Sequence, residues 1–413
     1  MIADVVPGSR LLYLGFAFPP GLAALHPEMN PAGHALETRM VAQLRRYFEI
    51  RSAGLLPVEV APLPMANPET GIAHDLLLIE KPPELLYRLR AVARLKAAYR
   101  QWRNEGWQPE AVLVYNMSPV YNQFLLWLRR QPNCPKLVLL LLDSAHLGQP
   151  ISWRKQLRRR FKPLHVPDER MLMHFDACVG LSRGVWKYFQ PREVPFLWMP
   201  GGCTPERAVP VNGSEHGRLV GANVSFGYFG ALGAHSGARA LAELFLQQQL
   251  PASLDICGYG KFSLDGLPPA NARLRFRGLL TPSDCLRFGT CCDVLVNPRP
   301  LTHGNENNFA SKLFEYALTG RTILTSQMSG VEQVLGPAAL YFDPGDFARS
   351  LSLRLREACG MSPLELTRRG KEIQRRVVTE FAWSKQAGRM ADFIYQVCRR
   401  EQVGLEVDHA LAA

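Results

Sequence analysis

The chain has 413 residues, 47% hydrophobic and 20% charged, and carries 48 Lys and Arg against 36 Asp and Glu for a net charge of +12. That length exceeds one ordinary core and suits two domains, while the globular composition excludes a disordered, collagen-like or low-complexity protein. No apolar stretch approaches the roughly 18 uninterrupted residues of a membrane span, so the chain is expected to be soluble or peripheral.

In chain order, Leu11 to Phe16 reads as a first strand. The run Leu11 to Phe18 after Arg10 mimics a secretory leader, but Asp4 and the following Pro19, Pro20 and Gly21 fit a strand and its loop better. A helix is expected over His34 to Phe48, with Leu36, Met40, Leu44 and Phe48 on one face. Leu85, Leu89, Val92, Leu95, Tyr99 and Trp102 then form the apolar stripe of a basic amphipathic helix bearing Arg88, Arg90, Arg94, Lys96, Arg100 and Arg103. Strand Ala111 to Tyr115, helix Tyr121 to Arg130 and strand Leu137 to Leu142 follow at a spacing that argues a parallel sheet. A second basic segment, SWRKQLRRRFKPL, packs Arg154, Lys155, Arg158, Arg159, Arg160 and Lys162 around Trp153, Leu157 and Phe161. Ala177 to Leu181 and Pro195 to Met199 are later strands.

The polar, glycine-containing segment VPVNGSEHGRLVG breaks the pattern, and the alternation restarts after it. Strands are expected at Val224 to Tyr228, Leu254 to Cys257, Leu274 to Arg277, Val294 to Asn297 and Thr322 to Thr325. Helices are expected at Ala238 to Gln248, Pro282 to Thr290, Ser311 to Thr319, Val331 to Leu335, Pro363 to Phe381 and Ser384 to Arg400. Two doubly wound α/β domains follow: residues 1–208, a linker at 209–222, and residues 223–383. Residues 384–413 form a C-terminal helix expected to pack back on the first domain.

Residues 1–210 hold 26 Lys and Arg against 17 Asp and Glu, so most of the positive excess lies in the first half. An anionic partner for that half is implied. A nucleic acid is disfavoured, because no interleaved aromatic platform accompanies the charge. Nine cysteines lack any C-x-x-C spacing, which argues against a zinc site or disulfide framework and for a reducing, cytoplasmic compartment.

The richest chemistry lies in NPRPLTHGNENNFASKLFEYALTG. In a doubly wound sheet, ligands gather at the carboxyl ends of strands, and here a strand runs into Arg299, a polar loop, and a helix that Ser311 is expected to cap. The helix terminus, Lys312 and Arg299 suit a diphosphate. Glu315, one turn further on the same face, can accept two ribose hydroxyls. After the strand LVLLLL, Asp143 and His146 are alternative candidates for an acceptor base, and Asn116, also after a strand, is expected to shape the acceptor site.

The run SKLFEYALTGRTILTS, with SGVEQVLG and LYFDPGD after it, resembles the C-terminal domain of GT-B glycosyltransferases, especially the large retaining, nucleotide-sugar-dependent group. GYFGALGAHSGARAL, LDICGYG and LRFRGLLTPSDCLRFGTCCDVLVNPRP agree in order, so the resemblance spans roughly residues 224 to 345. It implies two Rossmann-like domains facing each other across a cleft, and transfer from a UDP-, GDP- or dTDP-sugar with no metal or other cofactor. It also implies a ribose contact at Glu315, phosphate contacts at Ser311 and Lys312, and a loop at Ser329, Gly330 and Val331 near phosphate and sugar. Gly33 and His34 occupy the place of the glycine loop that faces the donor in the first domain. Two positions depart from the pattern. Asn307 stands where a Glu is common, and Ala231 and Ser236 stand where an Arg and a Lys often hold phosphate, leaving Arg299 and Lys312 to substitute beside Gly230. The expected activity is sugar transfer to a lipid-linked or polysaccharide acceptor at the inner membrane face, with Arg154, Arg158 and Arg159 toward acceptor or membrane. A nucleotide-sugar 2-epimerase and a catalytically silent GT-B scaffold are the alternatives.

Overall fold

The computed structural model describes residues 8–15, 31–56, 75–79, 84–142, 147, 169–210, 223–260 and 273–399. The chain divides into two compact units, Met1–Met199 with Trp383–Ala413, and Pro200–Ala382. The second unit thus starts before the expected boundary at 209. Its opening residues are tied to its own end, because the Cys203 amide donates to the Phe381 carbonyl at 2.8 Å and the Val209 amide to the Leu318 carbonyl at 2.9 Å. Residues 211–222, most of the expected linker, lie outside the described residues.

In the first unit a parallel sheet is built from β1 (Arg10–Gly15), β2 (Glu49–Leu56), β3 (Leu76–Ile79), β4 (Ala111–Tyr115), β5 (Lys136–Leu141), β6 (Ala177–Gly180) and β7 (Phe196–Trp198). Their order is β3-β2-β1-β4-β5-β6-β7. The central strands are continuous apolar runs because helices cover both faces of such a sheet; Leu11 to Leu14, Val112 to Val114 and Leu137 to Leu140 are fully buried. β2 and β3 escape sequence reading. EIRSAGLL has neither clean alternation nor β-branched residues apart from Ile50, and it is held instead by its neighbours and by the Ser52 amide donating to Asp75 at 2.7 Å.

Helix Glu84–Asn104 lays its stripe into this unit: Val92, Leu95, Tyr99 and Trp102 are buried. Lys96 and Arg100 stack over Trp127 of helix Pro119–Leu128, so part of the basic face is used in packing. Leu86 and Leu89 remain about half exposed, at 47% and 51%, beside exposed Arg90 and Arg94. The last helix, Trp383–Arg399, belongs to the same unit. It packs on helix Pro31–Leu44, with the Tyr395 ring 4.9 Å from Phe48 and its hydroxyl donating to the Tyr47 carbonyl at 2.6 Å.

The second unit holds β8 (Val224–Ala231), β9 (Ala252–Tyr259), β10 (Leu274–Gly278), β11 (Val294–Asn297), β12 (Thr322–Ser326) and β13 (Leu340–Phe342), all parallel, in the order β10-β9-β8-β11-β12-β13. Phe226, Tyr228, Leu241, Phe245, Leu254, Ile256 and Leu324 centre its core. Helix Phe347–Gly360, which the motif reading passes over, buries Leu351, Leu355 and Ala358 on one stripe. The expected polar loop before Ser311 contains a short helix, His303–Glu306, capped by Thr302 accepting from the Asn305 amide. No helix among the described residues is long and apolar enough to cross a membrane.

Candidate functional site

The strand order of the second unit reverses between β8 and β11, and in open α/β sheets this is where a ligand meets the strand ends. The two strands pair only through Val294 with Phe226 and Leu295 with Gly227, then part. Parting leaves the Phe229 backbone without a strand partner on that side. Tyr316, fully buried on helix Lys312–Leu318, fills the gap: its hydroxyl donates to the Phe229 carbonyl at 2.9 Å and accepts from the Phe229 amide at 3.1 Å. This bond fixes the helix against the end of β8. Sequence reasoning had no signal for it, since a tyrosine beside a candidate glutamate reads as ordinary core.

With the helix so held, Lys312 lies across the turn at Gly230. Its ammonium donates to the Tyr228 hydroxyl at 2.9 Å and sits 4.1 Å from that ring's centre. A Cβ at Gly230 would stand 3.3 Å from the Lys312 side chain, and the backbone there has φ +139°, so this close approach requires glycine. Burial, with Arg299 adding like charge, pushes the Lys312 ammonium well below its ordinary value. Burial also lowers the Arg299 guanidinium, to about 10, where it is still charged at neutral pH. Arg299 donates to the Asn308 carbonyl at 3.0 Å. Among the described residues neither cation is paired with a carboxylate. Two partly buried basic groups without a carboxylate partner among the described residues make a site that favours an anion.

Glu315 is half-buried one turn beyond Lys312 and faces differently. Its charge raises the Tyr259 phenol, where burial is the larger cause, and opposes ionisation of Cys285. It therefore lies toward the end of β9 and helix Pro282–Thr290. Cation and carboxylate on one short helix thus serve neighbouring regions, the first at the glycine turn and the second further along the strand ends.

Other expectations change. Ser311 does not cap through its side chain: it is itself in helical conformation, and its amide donates to the Phe309 carbonyl at 3.1 Å while the Leu313 amide donates to Ala310 at 2.9 Å. These two amides are already satisfied. Asn307 is buried, with its amide 3.1 Å from the His303 ring nitrogen. Gly330 adopts φ +85° and opens helix Val331–Leu335, but the Val331 amide donates to Met328 at 3.0 Å and its side chain is buried. In the first unit Asn116 takes a left-handed conformation and accepts from the Leu142 amide at 2.8 Å, clamping two strand ends. Gly33 falls in the first turn of helix Pro31–Leu44. Asp143, His146, Arg154, Arg158 and Arg159 lie outside the described residues.

No protein-family model matches the sequence, and no curated protein matches it. Solved structures do. Sucrose-phosphate synthase from Thermosynechococcus elongatus superposes with a TM-score of 0.62 at 15% identity, covering 95% of this chain and 100% of that one. HepE of Anabaena, solved in complex with UDP, gives 0.65 at 14% identity over 94% of this chain and 100% of its own. The lipopolysaccharide outer core galactosyltransferase WaaB gives 0.62 at 12%, over 93% and 99%. The chain has the GT-B fold. Within this GT-B chain, the first glycine turn of the second unit carries Ala231 and Ser236 and so lacks charged side chains at those positions. Lys312 reaches that turn from the neighbouring helix instead.

Proposed function

We propose that the protein is a glycosyltransferase that moves a sugar from a nucleoside diphosphate to a hydroxyl acceptor. The observation that carries this reading is the pair Lys312 and Arg299, partly buried and uncompensated by carboxylate among the described residues, with Lys312 lying against Gly230 where β8 and β11 part. A diphosphate is the complementary ligand. Glu315, directed toward the end of β9, accepts the ribose hydroxyls of the same donor. The GT-B neighbours solved with UDP or UDP-2-fluoro glucose support a nucleotide-sugar donor.

Breaking the glycosidic bond to the diphosphate is the demanding step, because negative charge grows on the leaving oxygen. In this reading Lys312 and Arg299 meet that oxygen and stabilise the transition state, and their half-buried setting strengthens the effect. The reading calls for no metal ion. Retention of anomeric configuration is what the sequence resemblance implies. For the acceptor, a lipid-linked or polysaccharide intermediate at an anionic membrane face is supported by the exposed Leu86, Leu89, Arg90 and Arg94 on helix Glu84–Asn104. Basic residues near such a surface contribute about 1 kcal/mol each.

Calorimetric titration with a panel of UDP-, GDP- and dTDP-sugars, followed by mass spectrometry of products, tests the proposal. Binding of one nucleotide class with glycosylated product is the expected result. Folded protein that binds none of them refutes it. Binding without turnover on any acceptor favours a silent GT-B protein.

A further inference from the structure

The loop after β8 carries a further group whose place is set from three sides. His235 lies in the single 3-10 turn Ala234–Ser236, directly after the glycine turn at Gly230. Gly237, at φ +73°, packs so closely on the Arg299-bearing loop that a Cβ would fall 1.7 Å from the Pro298 carbonyl. Asn305, buried in helix His303–Glu306, donates to both the His235 carbonyl at 2.9 Å and the Pro300 carbonyl at 2.9 Å. The turn is therefore clamped to the loop that bears Arg299, while His235 keeps access to solvent.

The charges that meet this ring are positive. Partial burial, then Arg299, then Lys312 lower the imidazole from its ordinary value. From β8, Tyr228 contributes a phenol raised to about 12, which is neutral at pH 7. The helix of Asn305 adds His303 and an exposed Glu306. Among the described residues His235 forms no ion pair with a carboxylate. An anion of two or more charges seated between Arg299 and Lys312 reverses the field at the ring.

We propose that His235, on the turn clamped to the Arg299 loop, is the proton-responsive member of the diphosphate site, taking up a proton from solvent as a nucleoside diphosphate seats beside Arg299 and Lys312. The assignment rests on the reading of this site as a diphosphate site. It gives the product an advantage in charge matching: the diphosphate released by transfer is more negative than the sugar diester, and the site gains positive charge with it. Binding of the free nucleoside diphosphate is then linked to proton uptake, and tightens as pH falls from 8 toward 6.

The test is calorimetry of the full chain with UDP, GDP and dTDP at pH 7 in two non-phosphate buffers of different ionisation enthalpy. Wild type, His235→Gln and His235→Lys are compared, and affinities are repeated at pH 6 and 8. Because the nucleotide's own phosphate titrates in all three proteins, the difference between proteins isolates the histidine. Expected is greater proton uptake by wild type than by His235→Gln, with an affinity ratio between them that grows by about tenfold from pH 8 to pH 6. His235→Lys, charged across this range, is expected to bind more tightly than wild type at pH 8. Nucleotide binding with equal proton uptake and a constant ratio overturns the role of His235 and leaves the site assignment standing. Binding by none of the three nucleotides overturns both.

Discussion

Lys312→Met separates function from stability, because binding is expected to fall steeply while stability changes little. Lys312 contributes a hydrogen bond to Tyr228 and a ring contact at 4.1 Å, whose loss costs about 1 kcal/mol each. Against this stands the desolvation of an ammonium with no carboxylate partner among the described residues; replacing buried ionic groups by apolar ones of similar size returns about 1–4 kcal/mol. The nucleotide-free variant is therefore expected to lie between about 1 kcal/mol less and about 2 kcal/mol more stable than wild type, a small shift in Tm for the transition of the second unit. Binding of a nucleoside diphosphate, deprived of a charge-assisted bond worth about 1.5–3 kcal/mol, is expected to weaken by roughly 10- to 150-fold. The pH dependence follows with its sign. The folded ammonium ionises below its ordinary value of 10.5, so in that window the unfolded chain binds more protons and wild-type stability rises with pH. The variant loses this rise. Thermal melts across pH, with and without nucleotide, and calorimetry read both effects. A variant that melts several degrees lower without nucleotide and binds it unchanged refutes the argument, since Lys312 would then be a structural residue.

Glu315→Gln is expected to weaken a nucleoside diphosphate about 10-fold or more through the lost ribose contacts, yet leave inorganic pyrophosphate unaffected; equal losses for both ligands in calorimetry would count against the ribose role. Tyr316→Phe leaves the Phe229 amide and carbonyl unsatisfied in a buried place, and a loss of about 2–4 kcal/mol by denaturant titration is expected. An unchanged midpoint would show that water replaces the hydroxyl. Flotation with vesicles containing anionic phosphatidylserine is expected to carry the protein at low salt and release it at high salt. Arg90→Glu with Arg94→Glu should reduce the bound fraction, and equal flotation with neutral vesicles would end the membrane proposal.

Most of the fold could be read from the chain because its signals are local. Fully buried parallel strands announce themselves as apolar runs such as LVLLL, and helix Pro282–Thr290 carries its cap and its proline in its first residues. The strand EIRSAGLL could not be read this way, since what makes it a strand is two neighbours and Asp75. The candidate site divides along the same line. Lys312, Glu315 and Arg299 are identified by residue type and spacing next to a strand end, which sequence alone supplies. That Tyr316 bridges two diverging strands and that His235 stands near both cations depends on contacts between segments some 60 to 90 residues apart. Propensity and spacing act over a few residues, whereas the electrostatic field at Gly230 is the sum of groups brought together only when β8, β11 and their loops converge.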